Sequence, residues 1–303
     1  MPSDFVPARR LALGGLGAGL LYLAGCQSTP PAVEPPTQPP VVKPPRPPRI
    51  GLALGGGAAR GFAHIGVIQV LEEHGIRPDL VVGTSAGSLV AALYASGKSG
   101  TELAGMARTM DESALTDWAF PGRGLIRGEA LARFVRSQTG NRPIEQMPLP
   151  LGIVATDAAS GDPILFRRGD TGTAVRASSA VPAVFQPVRI GEREYLDGGL
   201  VSPVPVRFAR EMGAELVIAV DISSPPDPNA TGDAFHLLMQ TFAIMGRSIN
   251  RWELQNADVL IRPSLVGVSS SDFTARMKAV QSGREAATAQ WPALKARIAA
   301  LTR

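Results

Sequence analysis

Ser85 stands between Gly83 and Gly87 in a GTSAG run, which is the spacing of a nucleophile elbow. Glycines on both sides let a chain turn sharply from a strand into a helix, and the serine hydroxyl then projects at the helix N-terminus. Residues 80–82 suit a short buried parallel strand, and residues 86–97 suit a packed helix. The pattern arises readily by chance in a glycine-rich chain, so this context is what makes Ser85 a predicted nucleophile.

A glycine loop upstream supplies a second chemical signal. Residues 50–54 read as a strand that breaks into the run GGGAARG at 55–61, and a helical pattern starts at Phe62. Backbone N–H groups at such a helix start can hold a negative oxygen, either of a phosphate or of an oxyanion. The phosphate alternative is weak, because no Gly-Lys-Ser/Thr follows and Arg60 stands where the third glycine of GxGxxG belongs.

An acidic turn far downstream is the third signal. Asp197 is followed by Gly198 and Gly199, and glycines make a turn that can aim a carboxylate at a neighbouring loop. Taken alone, an aspartate in this position more often forms a turn than acts as a base. The order of the three signals along the chain changes that weighting.

Together the runs GGGAARG, GTSAG and DGG resemble the patatin-like phospholipase family, and the run RASSAVP at 176–182 is similar to that family's pattern ahead of the DGG turn. The resemblance covers most of residues 50–221. It implies an α/β fold of three layers, α/β/α, with a mainly parallel central sheet. It also implies a lipid ester as the substrate.

The resemblance assigns roles position by position. It makes Ser85 the nucleophile and Asp197 its base in a two-residue dyad, with no histidine. It implies an oxyanion hole formed by Gly56, Gly57 and Ala58, assisted by Arg60 and by the Ala86 amide. Ala58 departs from the family pattern, since many members carry another glycine there, and a methyl group narrows the φ freedom of the loop.

The chemistry can be argued from the residues as well. A serine hydroxyl attacks an ester carbonyl only when a base takes its proton, and seclusion from water would raise the pKa of Asp197 from about 3.9 and make it a better base. The product would be an acyl-serine that water hydrolyses, with no metal or cofactor. The rival is a Ser-Asp-His triad, for which His64 and His236 are candidates. A non-catalytic envelope scaffold that keeps the fold is the alternative from another class.

The N-terminal region predicts export and a lipid anchor. Arg9 and Arg10 precede a short apolar run, so residues 1–25 read as a signal peptide. The run LAGC at 23–26 resembles a bacterial lipoprotein processing site, which would leave Cys26 lipidated and bound to the membrane. Gln27 after the cysteine favours the outer membrane of the cell envelope. Residues 26–49 are crowded with proline and predict a stiff linker.

Residues 50–303 predict one α/β catalytic domain. Further strands are expected at 151–155, 164–167, 216–220 and 259–261, and a helix at 271–301. The apolar residues at 235–254 predict the buried face of another helix, and an apolar channel for acyl chains would use the same residue types. The net charge is +4, of which residues 1–49 contribute +3 through five basic and two acidic groups. The domain therefore carries about +1, and nothing in it predicts nucleic-acid binding or a metal site.

Overall fold

A computed structural model describes residues 45–110, 117, 124–226, 232–269 and 272–303 of the chain. Residues Pro45–Arg303 form one compact unit. Its first residues are tied to its last ones, since the backbone of Arg46 pairs with that of Arg303 and its guanidinium forms an ion pair with Glu215. The unit thus begins five residues before the predicted Ile50. The signal peptide and Cys26 lie outside the described residues.

The described residues contain ten strands in two sheets. They are β1 (Ile50–Leu54), β2 (Leu80–Thr84), β3 (Gly124–Ile126), β4 (Leu151–Asp157), β5 (Pro163–Phe166), β6 (Ala183–Phe185), β7 (Val188–Ile190), β8 (Arg193–Asp197), β9 (Leu216–Val220) and β10 (Val259–Ile261). The large sheet has the order β10-β9-β1-β2-β4-β8-β7, and β5 also pairs with β4. Pairs from β10 to β4 are parallel, whereas β5, β7 and β8 form an antiparallel flank. Strands β3 and β6 form a separate two-stranded sheet.

Eight helices surround the large sheet among the described residues. They are α1 (Phe62–Glu73), α2 (Ala86–Ala95), α3 (Gly100–Thr109), α4 (Glu129–Gln138), α5 (Thr171–Ser178), α6 (Val206–Glu211), α7 (Ala234–Glu253) and α8 (Arg276–Leu301). One face of the sheet packs against α1, α2, α3 and α8, and the other against α6 and the 3-10 turn Leu254–Asn256 that follows α7. The expected three-layer α/β/α fold with a mainly parallel sheet is confirmed.

The sequence predicted the central strands because their residues are apolar throughout. Every residue of β1, β2, β4 and β9 is buried, as expected of strands covered on both faces. The final helix is shorter than predicted, because α8 begins at Arg276 after a 3-10 turn at Phe273–Ala275. No helix in the described ranges is long and apolar enough to cross a bilayer. Parallel strands end at one edge of a sheet, so the loops after β1, β2 and β9 converge there.

Candidate active site

Ser85 occupies a strained turn between β2 and α2. Its φ is 53° and its ψ is −125°, a conformation in which a non-glycine residue is held only by tight surroundings. The flanking glycines are needed for close approach: a Cβ on Gly83 would lie 2.4 Å from the Gly87 carbonyl oxygen, and one on Gly87 would lie 2.1 Å from that of Leu54. The elbow predicted from the GTSAG run is therefore present, with the Ser85 side chain at the convergent edge of the sheet.

Sheet register brings Asp197 to Ser85 although 112 positions separate them. Thr84 at the end of β2 is level with Val154 of β4, and Ala155 is level with Asp197 at the end of β8. The Ser85 hydroxyl donates a hydrogen bond of 2.7 Å to Asp197 Oδ2. The GTSAG and DGG runs, which are far apart in the sequence, are thus in contact in the structure.

The DGG turn fixes the Asp197 carboxylate. The backbone N–H of Gly199 donates to Asp197 Oδ1 at 2.7 Å, so each carboxylate oxygen has its own donor. Gly198 lies against β4, where a Cβ would be 2.2 Å from the Val154 carbonyl oxygen. The backbone N–H of Asp197 donates to the carbonyl of Ala180. The carboxylate is therefore held in place from the turn and from the strand.

Burial makes Asp197 a stronger base than an ordinary aspartate. Its side chain is 6% exposed and that of Ser85 is 9% exposed. Loss of water raises the pKa of Asp197 to about 6, although the hydrogen bonds from Ser85 and Gly199 act in the opposite direction. A carboxylate with such a pKa can accept a proton from a hydroxyl at near-neutral pH more readily than a solvated one.

Ser178 is a residue of this site that the sequence reasoning missed. Its Oγ accepts a hydrogen bond of 2.9 Å from the backbone N–H of Ser85 and donates one of 2.5 Å to the carbonyl of Val154. It is fully buried at the end of α5. The only available signal was its place in the run RASSAVP, which marked a segment but no individual residue. Ser178 thus ties the backbone of the elbow to β4.

Among the described residues, two amides of the glycine loop lack an acceptor, and the Gly56 amide is not one of them. The N–H of Gly56 donates to the carbonyl of Pro203 at 2.9 Å, which corrects its predicted place in the oxyanion hole. Within the described residues the N–H groups of Gly57 and Ala58 have no hydrogen-bond acceptor. Gly57, Ala58 and Ser85 line one cavity. Ala58 has a φ of 48°, so its backbone adopts a left-handed conformation that favours glycine over a residue with a methyl group.

Arg60 has a different place from the one predicted. Its side chain is buried, its Nη1 donates to the hydroxyl of Ser224, and it does not line the cavity beside Ser85. Burial lowers the pKa of Arg60, opposed by the charge of Asp221. The prediction that its side chain assists the oxyanion hole is therefore corrected: Arg60 connects the glycine loop to the loop after β9.

Neither candidate histidine contacts Ser85 among the described residues. His64 is buried, its Nε2 donates to the Gly55 carbonyl at 2.8 Å, and burial lowers its pKa to about 4, so it is neutral at physiological pH. His236 is exposed at the start of α7, and its Nδ1 lies 2.9 Å from Asp233 Oδ1. The described part of the chain also contains no group of three or more His, Cys, Asp or Glu that could hold a metal ion.

A cavity of about 430 Å³ opens over the dyad. Its polar side is formed by the glycine loop, Ser85 and Asp197, and its other side by α7 residues that include Met239, Phe242 and Ala243. The expectation that apolar residues at 235–254 form a buried helix face was wrong, because only Asn250 and Glu253 of α7 are buried. The inner face of α7 is a cavity wall.

A second, smaller cavity of about 70 Å³ shares Ala58 as a lining residue with the first. Its lining is apolar and comes from the helices packed on one face of the sheet, including Phe62, Leu89, Leu103 and Met106. Ala86, the residue after Ser85, also lines it. Space for an apolar group therefore exists next to the elbow on the side away from α7.

The fold is shared with a solved bacterial protein. VipD from Legionella pneumophila superposes with a TM-score of 0.58 at 15% sequence identity, covering 86% of this chain and 68% of that one. The family model described as patatin-like phospholipase matches residues 52–210. The chain therefore belongs to the patatin-like phospholipase family, as the three sequence signals indicated.

Relatives in distant organisms share this region. One NTE family protein of Mycobacterium tuberculosis is 35% identical over 204 residues, which cover 64% of this chain and 56% of the relative. Another from that organism is 32% identical over 267 residues, covering 79% and 46%. Mouse patatin-like phospholipase domain-containing protein 6 is 32% identical over 231 residues, covering 73% of this chain and 16% of the relative. The chain thus spans about half the length of the mycobacterial relatives it matches.

Proposed function

We propose that this protein is a membrane-anchored serine hydrolase that cleaves the carboxylic esters of lipids through a Ser85–Asp197 dyad. The observation that carries the proposal is the 2.7 Å hydrogen bond between a hydroxyl in a strained elbow and a buried carboxylate at a largely apolar cavity. Membership of a family described as phospholipases, and the names of the relatives, support the class of substrate.

The proposed reaction has two halves. In the first, Ser85 Oγ forms a bond to the ester carbonyl carbon, its proton passes to Asp197, and the carbonyl electron pair moves onto the oxygen. The N–H groups of Gly57 and Ala58 are the donors available to this oxyanion, and removing such a donor typically costs about 3 to 4 kcal/mol of transition-state stabilisation. When the carbonyl reforms, the alcohol leaves with the proton held by Asp197.

In the second half, water hydrolyses the acyl-serine. Asp197 accepts a proton from the attacking water, the tetrahedral oxyanion meets the same two amides, and the proton returns to Ser85 as the acid leaves. No group beyond the dyad and the amides is required for the proton balance. The two cavities give the substrate apolar surroundings on both sides of the elbow.

The decisive experiment separates this enzyme from a scaffold that keeps the fold. A fluorophosphonate probe should label the wild-type chain at Ser85 and should not label Ser85→Ala, and phospholipid hydrolysis should disappear in the same variant. Ser96→Ala is a matched control, because its hydroxyl bonds only the Leu93 carbonyl at the end of α2. A folded wild-type chain that resists the probe and releases no fatty acid would favour the scaffold.

The histidine triad is tested separately. We expect His236→Ala to keep most of the activity, because its ring is paired with Asp233 and not with Ser85. An inactive His236→Ala with unchanged folding, measured by circular dichroism and activity on one sample, would restore a triad with histidine as the base.

The anchor rests on the N-terminal sequence alone. We propose that Cys26 is lipidated after removal of residues 1–25 and that residues 26–44 are the linker to an outer-membrane position. Cells fed an alkyne-labelled fatty acid should incorporate it into the wild-type chain and not into Cys26→Ser. Equal labelling of both would contradict lipidation at Cys26, and fractionation of the envelope would test the choice of membrane.

A further inference from the structure

Helix α7 carries most of the large apolar side chains that the described residues expose. Five of these eight exposed side chains belong to it: Phe235, Leu237, Ile244, Met245 and Trp252; the others are Leu125, Val266 and Met277. Scattered single apolar residues are common on protein surfaces, whereas a cluster on one element marks an interaction surface. The outer surface of α7 therefore requires an explanation that the dyad does not give.

The two faces of α7 have different surroundings. Met239, Ala243 and Gly246 follow helical spacing and line the cavity over the dyad. The apolar residues on the opposite face, here called the outer face, are Leu237, Ile244 and Trp252, which are 68%, 53% and 74% exposed. The exposed Thr241 and Ser248 lie between them. Positions 237, 244 and 252 fall on one side of a helix with 3.6 residues per turn. One helix thus has a cavity wall on one face and an apolar strip on the other.

The charges of α7 complement an anionic partner. Its exposed arginines are Arg247, which also lines the dyad cavity, and Arg251, which lies beside the outer face. Its one carboxylate, Glu253, is buried against the backbone N–H of Arg207, and the exposed Asp233 that caps the helix lies 2.9 Å from the His236 ring. An amphipathic helix with apolar residues beside arginines is typical of segments that lie in the interface of anionic lipid bilayers.

We propose that the outer face of α7 lies in the surface of an anionic phospholipid bilayer. Because the inner face of the same helix lines the dyad cavity, this contact brings the cavity next to the lipid that is to enter it. The choice of a bilayer rests on the proposed function, which makes lipids the substrates. The contact itself requires no turnover, and it is distinct from an anchor at Cys26.

Trp252 reports directly on the contact. We would add the full chain with Ser85→Ala to vesicles of phosphatidylethanolamine and phosphatidylglycerol that contain a bromine-labelled phospholipid, and measure tryptophan fluorescence. Bromine quenches only nearby indoles, so we expect quenching in this chain and its loss when Trp252→Phe is added. A chain that sediments with the vesicles while Trp252 remains unquenched would overturn the proposal, since anchoring at Cys26 alone gives that result.

A paired variant tests the consequence for hydrolysis. Leu237→Ser with Ile244→Ser removes apolar surface from the outer face and leaves the cavity lining unchanged. We expect hydrolysis of vesicle phospholipid to fall by about tenfold or more, and hydrolysis of a soluble short-chain ester to stay within about twofold. Val266→Ser is the matched control, because Val266 is 82% exposed and lies off α7. An equal fall on both substrates would overturn the proposal.

The other occupants of the outer face give different results. A dimer that dissociates in Leu237→Ser with Ile244→Ser would assign the face to a second copy and overturn the proposal. Protection of Trp252 from a soluble quencher without vesicles, followed by no bromine quenching, would show that another part of the chain covers the face and would also overturn it. If the wild-type chain hydrolyses neither substrate, the proposed function fails, and the quenching in Ser85→Ala still decides the membrane contact.

Discussion

The two sides of the dyad cavity are held in opposite ways. On one side Ser85, Ser178, Asp197 and Gly199 form a group of buried hydrogen bonds, here called the dyad region. On the other side α7 has only two buried residues among twenty and exposes five large apolar ones. The cavity therefore has one side fixed by buried hydrogen bonds and another side, α7, that packs little against the protein interior.

This difference between the dyad region and α7 matches the different demands of catalysis and of substrate binding. The proposed proton transfer between Ser85 and Asp197 needs a fixed distance, and fixed polar groups cost stability when they are buried. A lipid chain needs apolar area and little directional bonding, so a half-exposed helix suffices for α7. We therefore expect substitutions in the dyad region to change rates and stability strongly, and substitutions on α7 to change the use of substrates.

The largest effect is expected from Asp197→Asn. An asparagine keeps the shape and can still bond the N–H of Gly199, but it cannot accept the Ser85 proton, so kcat should fall by about 10² to 10⁴. Asp157→Asn is the control, because Asp157 is another buried strand-end aspartate and it bonds a turn and Arg193. If kcat is unchanged in Asp197→Asn, Asp197 is not the proton acceptor, and the dyad region does not carry out the proposed chemistry.

The pH dependence of the rate should follow the same carboxyl group. Since burial raises the pKa of Asp197 to about 6, kcat/KM for a soluble ester should fall about tenfold per pH unit below that value and level off above it. A rate that is constant through this range would mean that another group accepts the proton.

Stability should show what the buried carboxyl group costs. The folded state holds the Asp197 proton more tightly than the unfolded chain, so its contribution to the free energy of unfolding falls as the pH rises from about 4 to about 6. Asparagine does not titrate, so Asp197→Asn does not lose this stability. Between pH 4 and pH 7 its free energy of unfolding, measured by denaturant titration, should therefore rise by about 3 kcal/mol relative to that of the wild type. His64, whose lowered pKa has the opposite sign, is present in both proteins and cancels. A pH-independent difference would contradict the prediction.

Ser178→Ala should lower both stability and rate. It leaves the N–H of Ser85 and the carbonyl of Val154 buried without their partner, which costs about 1 to 3 kcal/mol of unfolding free energy. Because the elbow backbone moves, kcat should fall more than KM rises. Ser179→Ala, at the neighbouring position, should stay within about 0.5 kcal/mol. A kcat unchanged in Ser178→Ala would show that the elbow holds without this bond.

The smallest effect on stability is expected from Phe242→Ala on α7. Phe242 is half-buried and lines the cavity, so its loss should cost only about 1 kcal/mol and raise KM without lowering kcat. Thr241→Ala, on the exposed side of the helix, is the control for both measurements. A loss comparable to that of Ser178→Ala would remove the distinction between the two sides.

Local sequence patterns predicted the elements but not all contacts between them. Continuous apolar runs identified β1, β2 and β9, and glycine placement identified the elbow at Ser85, because these features depend on neighbours in the chain. The engagement of Gly56 by Pro203 was not predictable, since it depends on where a residue almost 150 positions away lies. The role of Ser178 was not predictable for the same reason, since its partners Ser85 and Val154 are distant in the sequence.

The apolar pattern of α7 was read correctly as helical and wrongly as buried. A helix with apolar residues on several sides is usual in a protein core, and the sequence of α7 does not say which side another element covers. The structure covers only the end of α7, where Asn250 and Glu253 are buried. The membrane contact proposed here depends on that difference.

The sequence by itself determined the strands β1, β2, β4, β5, β9 and β10, the tight turn at Ser85 and the family, because hydrophobic periodicity and glycine spacing are properties of short segments. Tertiary structure alone decided that the hydroxyl of Ser85 lies 2.7 Å from the Asp197 carboxylate, that the Gly57 and Ala58 amides have no acceptor among the described residues, and that one face of α7 is exposed. The physical reason is that hydrogen bonds and burial between distant segments depend on strand register and packing, which no single segment encodes.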